Sequence, residues 1–250
     1  MSIWTDIVNF LLPRHCIMCG RRLSAEESHL CTSCFMHLPF TDYHTVEHNL
    51  LEKQFWGLFP IEKAVSMFHH NGEHTRHIIY LIKYWGHPEL ATHLASIYAK
   101  ELQQVHFFDD IDAIVPLPLH WLRQLKRHYN QSHYIATGVA EVTGLPIYKN
   151  VVKRTENNSP QARLTARERM DNVAGIFRLT RPEAIAGKHI LLIDDVTTTG
   201  ATLTSCAKEL AKAPDTRISI LTLAVAARTP IPATDADNIE FSVFGLPLME

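Results

Sequence analysis

Four consecutive aliphatic residues, Ile190-Leu191-Leu192-Ile193, run straight into two acids, Asp194 and Asp195, and then into Val196-Thr197-Thr198-Thr199-Gly200-Ala201-Thr202. A short unbroken aliphatic run is the mark of a strand buried on both faces, and such strands belong to parallel sheets covered by helices. The chain around it alternates to match. Strands are expected at 112–115, 146–153, 188–193 and 217–225, and helices at 130–143, 165–172 and 200–213. Earlier, Ile78, Ile79, Leu81, Ile82 and Trp85 fit a helix stopped by Gly86-His87-Pro88, and 89–105 reads as a second. The expected class is α/β, a parallel sheet flanked by helices, with ligands at the C-terminal strand ends. At 250 residues, 46% hydrophobic and 20% charged, the chain can build one such core and a small appended module.

The appended module is written in cysteines. Four of the five fall in two pairs, Cys16-Ile-Met-Cys19 and Cys31-Thr-Ser-Cys34, with eleven residues between them. Each CxxC turn directs two thiolates at one point, and two turns together complete a tetrahedral sulfur site for structural Zn2+. Gly20 stands where the turn needs a positive φ. The gap is shorter than in a usual zinc ribbon, so a compact, knuckle-like module is expected. Disulfides or a redox dithiol are the alternatives, and the absence of an export signal disfavours the first. The fifth cysteine, Cys206, reads as a small core residue. The expected division is 1–60 for an N-terminal helix, the four-cysteine module and a connection, and 61–250 for the sheet domain.

The segment 190–202 also carries chemistry. Two carboxylates at a strand end suit vicinal hydroxyls, and a loop of threonines opening onto a helix suits a phosphate, because free N–H groups and the helix dipole point at it. Ribose 5-phosphate has both. No GxxxxGK[ST] and no GxGxxG occurs. The plain alternative is a threonine-capped helix with solvated acids beside it. These thirteen residues resemble the signature of type I phosphoribosyltransferases. The resemblance implies that Asp194 and Asp195 contact the ribose hydroxyls, with Mg2+ bridging hydroxyls and pyrophosphate. Val196, Thr197, Thr198, Thr199, Gly200, Ala201 and Thr202 would then hold the 5′-phosphate of phosphoribosyl pyrophosphate.

Two basic stretches accompany it. Val115-Pro116-Leu117-Pro118 leads into His120, Arg123, Lys126, Arg127 and His128, and a second group holds Arg154, Arg163, Arg167 and Arg169. In the type I pattern the first is the pyrophosphate loop and the second the hood loop. Arg123 and Arg127 are therefore expected ligands of phosphoribosyl pyrophosphate, with Arg127, Lys126 and Arg169 as candidates for a catalytic role. Taken in order, CxxC…CxxC, IxxLIKYWG, VPLPLHWLRQLKRHYNQS, RTxxxSPQARLTARERMDNVAGIF and IDDVTTTGATL resemble the ComF (GntX-like) family of competence-associated proteins. One departure is visible: Arg127-His128-Tyr129-Asn130-Gln131 replaces the family's Arg-Gly-Phe-Asn-Gln.

That resemblance implies a role in DNA uptake and natural transformation, with single-stranded DNA and other uptake proteins as partners. A net charge of −2 gives no overall field for nucleic acid, so any contact must come from local patches. The basic residues above, near Trp121 and Tyr129, are such a patch. The alternatives are a phosphoribosyltransferase that releases pyrophosphate to a nucleobase or related acceptor, and a regulatory sensor. Apolar residues among the first twelve, interrupted by Asp6 and Asn9, fit a packed amphipathic helix rather than a signal peptide, and a cytoplasmic location is expected. His69, His70, His74 and His77 have spacings that fit one helix face, which is expected to be a solvated face rather than a metal site.

Overall fold

The structure, a computed structural model, describes residues 13–155 and 175–226, with the side chains of Arg123 and Lys126 excepted. Its centre is a four-stranded parallel sheet. In chain order the strands are β1 (Ala64–His69), β2 (Ala113–Pro116), β5 (His189–Thr197) and β6 (Arg217–Val225), arranged β1-β6-β5-β2. β3 (Val152–Arg154) and β4 (Phe177–Leu179) form a separate antiparallel pair. The helices are α1 (Thr32–Met36), α2 (Leu50–Phe55), α3 (Glu73–Tyr84), α4 (Pro88–Gln104), α5 (Trp121–Arg127), α6 (Gln131–Thr143) and α7 (Ala201–Leu210). The α/β class and the parallel sheet are as the alternation predicts.

The aliphatic run behaves as its composition requires. Leu191 and Ile193 belong to one apolar core with α3, α4 and α6, while Ile190 and Leu192 belong to the other with α2 and α7. Alternate side chains of one strand thus fill two layers. The strand is fixed at its start by the fully buried His189, whose Nδ1 lies 3.1 Å from Asp110 Oδ2 and Nε2 2.9 Å from Ser219 Oγ.

β5 does not stop at Ile193, as its hydrophobicity predicts. It continues through the acids, with Asp194 opposite Thr222, Val196 opposite Ala224 and Thr197 opposite Val225. Backbone pairing with the long β6 carries the ladder past the point where side chains turn polar. Around 146–153 the reverse happens. Ile147 makes one parallel bridge to Ile114, after which the chain leaves the sheet and only Val152–Arg154 is strand, in the antiparallel pair. The helix expected at 165–172 and the N-terminal helix lie outside the described residues.

The stretch expected to be a plain connection is structured. Asn49 caps α2, accepting from the Leu51 and Glu52 N–H groups, while its own amide donates to the Tyr43 and Ala64 carbonyls. Upstream, the free edge of β1 is occupied: Thr41 N–H donates to Met67 O (2.9 Å) and His69 N–H to Pro39 O (2.8 Å). Cys16, Leu23, Leu30, Cys31, Cys34 and Leu38 share one buried cluster with α3 and α4. The cysteine module therefore packs on the sheet domain's own core. His69 ends β1 and His70 follows it, so only His74 and His77 of the four histidines lie on α3. The expected common helix face does not form.

Candidate functional site: an acid pair and a threonine loop

Asp194 and Asp195 are adjacent in a rigid strand, so their side chains leave it on opposite faces. Asp194 Oδ1 accepts from Asp195 N–H (2.8 Å) and from Ser132 Oγ (3.1 Å) on the first turn of α6. Burial, followed by the Asp195 carboxylate, pushes Asp194 up to about 7. Asp195 is itself buried, and its Oδ1 receives the Lys83 ammonium at 2.9 Å. Lys83 comes from the end of α3, in the IKYWG motif. Sequence reasoning did not name it, because nothing in a helical Lys-Tyr-Trp shows that it reaches a strand more than a hundred residues away.

After Thr197 the chain bends at Thr198, Thr199 and Gly200, and α7 begins at Ala201. No side chain of the N-cap residue caps α7, because that residue is Gly200 at φ 74°. Two constraints demand glycine there. The backbone is left-handed, and an added Cβ would lie 3.2 Å from the Phe55 ring of α2. Thr197 is buried, Thr198 exposed, and Val196, Thr199 and Thr202 half-buried. The Ala201 N–H leans on Thr199 Oγ1 at 3.4 Å. Carboxylates, hydroxyls and an uncapped helix start thus lie within one stretch of nine residues, 194–202, able to accept from hydroxyls at one end and donate to an anion at the other.

The basic residues are divided. Arg123, Lys126 and Arg127 lie on α5, whereas Arg169 is outside the described residues. Arg127 stacks on Tyr84, 4.9 Å from the ring centroid, and donates to Tyr84 Oη and Gln131 Oε1, each at 3.2 Å. α5 ends on His128 at φ 66°, in the left-handed region. Histidine has thus taken up the conformation that the family's glycine would adopt freely, and the turn is made without it.

The cysteines converge as their spacing predicts. Ligand atoms of Cys16, Cys19, Cys31 and Cys34 all lie within 4.8 Å of one another, and Cys19 Sγ and Cys31 Sγ are 3.7 Å apart. Zn–S bonds of about 2.3 Å in a tetrahedron put sulfurs at nearly that separation. Gly20 turns at φ 71°, and its N–H donates to Cys16 O at 2.8 Å. Burial, then the Cys19 and Cys31 thiols, push the Cys34 thiol above the ordinary range, and a central dication is the charge that would let it ionise. The donor set therefore fits zinc. Among the described residues no other such cluster of metal-ligating side chains forms. No described helix is long and apolar enough to cross a membrane.

Residues 7–45 match the family model described as a double zinc ribbon domain. This corrects the knuckle-like expectation and supports structural Zn2+, though the matched span carries a single set of four cysteines. Competence protein F of Haemophilus influenzae is 26% identical over 199 residues, covering 79% of each chain. The chain is thus similar to a protein named for competence. Other similar proteins are the DNA utilization protein YhgH of Escherichia coli, 27% identical over 78% of this chain and 83% of its own, and competence protein ComFC of Bacillus subtilis, 26% identical over 75% and 74%. Solved structures that match include glutamine phosphoribosylpyrophosphate amidotransferase from B. subtilis, 18% identical with a TM-score of 0.39, over 58% of this chain and 30% of that one. Purine phosphoribosyltransferase from Pyrococcus horikoshii matches with 11% identity and a TM-score of 0.34, over 57% and 92%. The first of these structures, UMP synthase of Leishmania donovani, is spanned over only 24% of its length, at 18% identity and a TM-score of 0.34.

Proposed function

We propose that the chain binds phosphoribosyl pyrophosphate at the end of β5 and, like relatives named for competence and DNA utilization, serves in the handling of incoming single-stranded DNA. The observation that carries the ligand reading is the pairing of Asp194 and Asp195, fixed in a strand, with the glycine-started α7 a few residues on. Asp194 and Asp195 would accept hydrogen bonds from the ribose hydroxyls. The 5′-phosphate would take the N–H groups and threonine hydroxyls of 197–202, where Gly200 keeps the backbone clear of a Cβ. Mg2+, when bound, would supply countercharge for the pyrophosphate at this strand end. Isothermal titration with phosphoribosyl pyrophosphate, with and without Mg2+, tests this. Wild type should bind, and the Asp194→Ala/Asp195→Ala double variant should lose at least tenfold in affinity; no heat with wild type removes the reading.

A catalysed transfer of the ribosyl group to a nucleobase or related acceptor is the second reading. It is favoured by the same combination of strand-end carboxylates and uncapped helix start, which suits a transferred ribosyl phosphate as well as a bound one. Pyrophosphate release in a screen of bases and amines would establish it; binding without turnover on any acceptor leaves a binding or sensing role. The nucleic-acid part is supported by the aromatic and basic residues that line the loop after β2, and binding of an unpaired oligonucleotide that weakens with salt is its test.

A further inference from the structure

A separate cavity, of about 640 Å3, opens past the end of β2. Its walls are the loop from Pro116 to Leu119, α5, the start of α6, and residues 149–154 at the foot of the β3–β4 pair. The first turn of α6 stands between this cavity and the acid pair: Ser132 reaches Asp194, while Asn130 and His133 line the cavity.

Three properties define what the cavity can take. Lys149, Lys153 and Arg154 line it, and no Asp or Glu does among the described residues. Lys149 and Lys153 make no ion pair with any described residue, whereas Arg154 stacks on Phe177. The aromatic rings of Trp121, Tyr129 and Tyr134 share the lining. Trp121 is 63% exposed, and Tyr129 is fixed by donating its hydroxyl to Ile82 O at 2.6 Å. Finally, His133 Nδ1 is buried with no partner among the described residues, and burial together with the Lys149 charge lowers its pKa.

Ammonium groups with no ion-pair partner among the described residues, beside the exposed ring of Trp121 and the half-buried rings of Tyr129 and Tyr134 in a hollow of about 640 Å3, are the elements of a single-strand site. We propose that this cavity is where the single strand is held, its phosphates on Lys149 and Lys153 and a base stacked on Trp121. The inference rests on the single-strand reading above and adds its location. It places the strand beside the acid pair rather than in it, with α6 as the shared partition, so a strand and a phosphoribosyl ligand are bound at once.

The test is fluorescence anisotropy of a labelled oligothymidylate with the full chain over a salt titration. Lys149→Gln/Lys153→Gln should weaken binding at least tenfold and reduce the log–log salt slope by about 1.4, roughly 0.7 for each phosphate left without its lysine. Lys149→Arg/Lys153→Arg should bind as wild type does, and Lys208→Gln, on the exposed side of α7, should change nothing. As a readout independent of the lysines, unlabelled strand should quench a tryptophan signal that Trp121→Phe abolishes. Failure of wild type to bind at low salt would overturn both the single-strand reading and this site. Binding that survives in Lys149→Gln/Lys153→Gln, without Trp121 quenching, would overturn the site and leave the reading intact. Displacement of the strand by thymidine monophosphate at equal affinity would also overturn it, in favour of a mononucleotide pocket.

Discussion

The Lys83 ammonium lies 2.9 Å from Asp195 Oδ1, joining the last turn of α3 to the acid end of β5. With Lys83 20% and Asp195 11% exposed, this is a largely desolvated pair rather than a surface contact. Removing one partner leaves the other charge buried alone. Lys83→Met should destabilise the free protein by about 2–3 kcal/mol, and adding Asp195→Asn should recover much of that loss. Denaturant unfolding of the four-membered cycle measures the coupling; a value under about 0.5 kcal/mol would mean that the pair is ornamental.

The raised Asp194 carboxyl ties stability to pH. Its folded pKa, near 7, lies above that of an unfolded aspartate, so its contribution is full at pH below about 4 and declines as pH rises through 7. Asp194→Asn should remove this slope, and at pH 8 the ligand-free variant should melt higher than wild type. Melting curves from pH 5.5 to 8.5 decide it; identical slopes would show that Asp194 is ionised throughout.

At the turn after α5, His128 holds φ 66° without being glycine. A left-handed non-glycine residue costs about 1 kcal/mol. His128→Gly should raise stability by about that amount less the added entropy of the unfolded chain, and His128→Val should lower it by more than 1 kcal/mol.

Gly200 faces the opposite situation, because φ 74° strains any other residue and the Phe55 ring would have to give way to a Cβ 3.2 Å from it. Gly200→Ala should cost about 1–2 kcal/mol, and pairing it with Phe55→Leu should relieve the steric part only. Thermal unfolding of the single and double variants separates the two.

The cysteine site should hold one zinc ion per chain, released together with four reactive thiols on chelation. Because Cys16, Cys31 and Cys34 are buried in the cluster that α3 and α4 share, chelation should lower the main melting transition and not merely loosen the module. Metal content, thiol titration and calorimetry on one sample check this.

What could be read in advance was whatever a local rule governs. The double layer served by Ile190 to Ile193, the bounds of the last strand and the convergence of the CxxC turns all follow from period, length and spacing. The misses were matters of partnership. Ala64–His69 is a strand because β6 offers it an edge, and β5 runs on through Asp194 because β6 is long enough to pair with it. Lys83 and Phe55 belong to the site through contacts that span well over a hundred positions, for which no window of sequence carries a signal. His128 marked a place where the missing glycine was visible but its consequence was not, since either residue can occupy a left-handed turn at different cost.

The segment between the cysteine module and β1 bears on how the molecule can be taken apart. Residues 39–41 cover the open edge of β1, and Phe55 braces the bend at Gly200. A chain shortened to begin at residue 61 would present a bare strand edge to its neighbours and lose the prop under its threonine loop, inviting strand-to-strand self-association and a slackened pocket together. One shortened to begin near residue 38 would keep both. The fragment that begins at residue 61 thus loses the edge cover and the Phe55 prop together with the metal, and the one that begins near residue 38 separates the two losses.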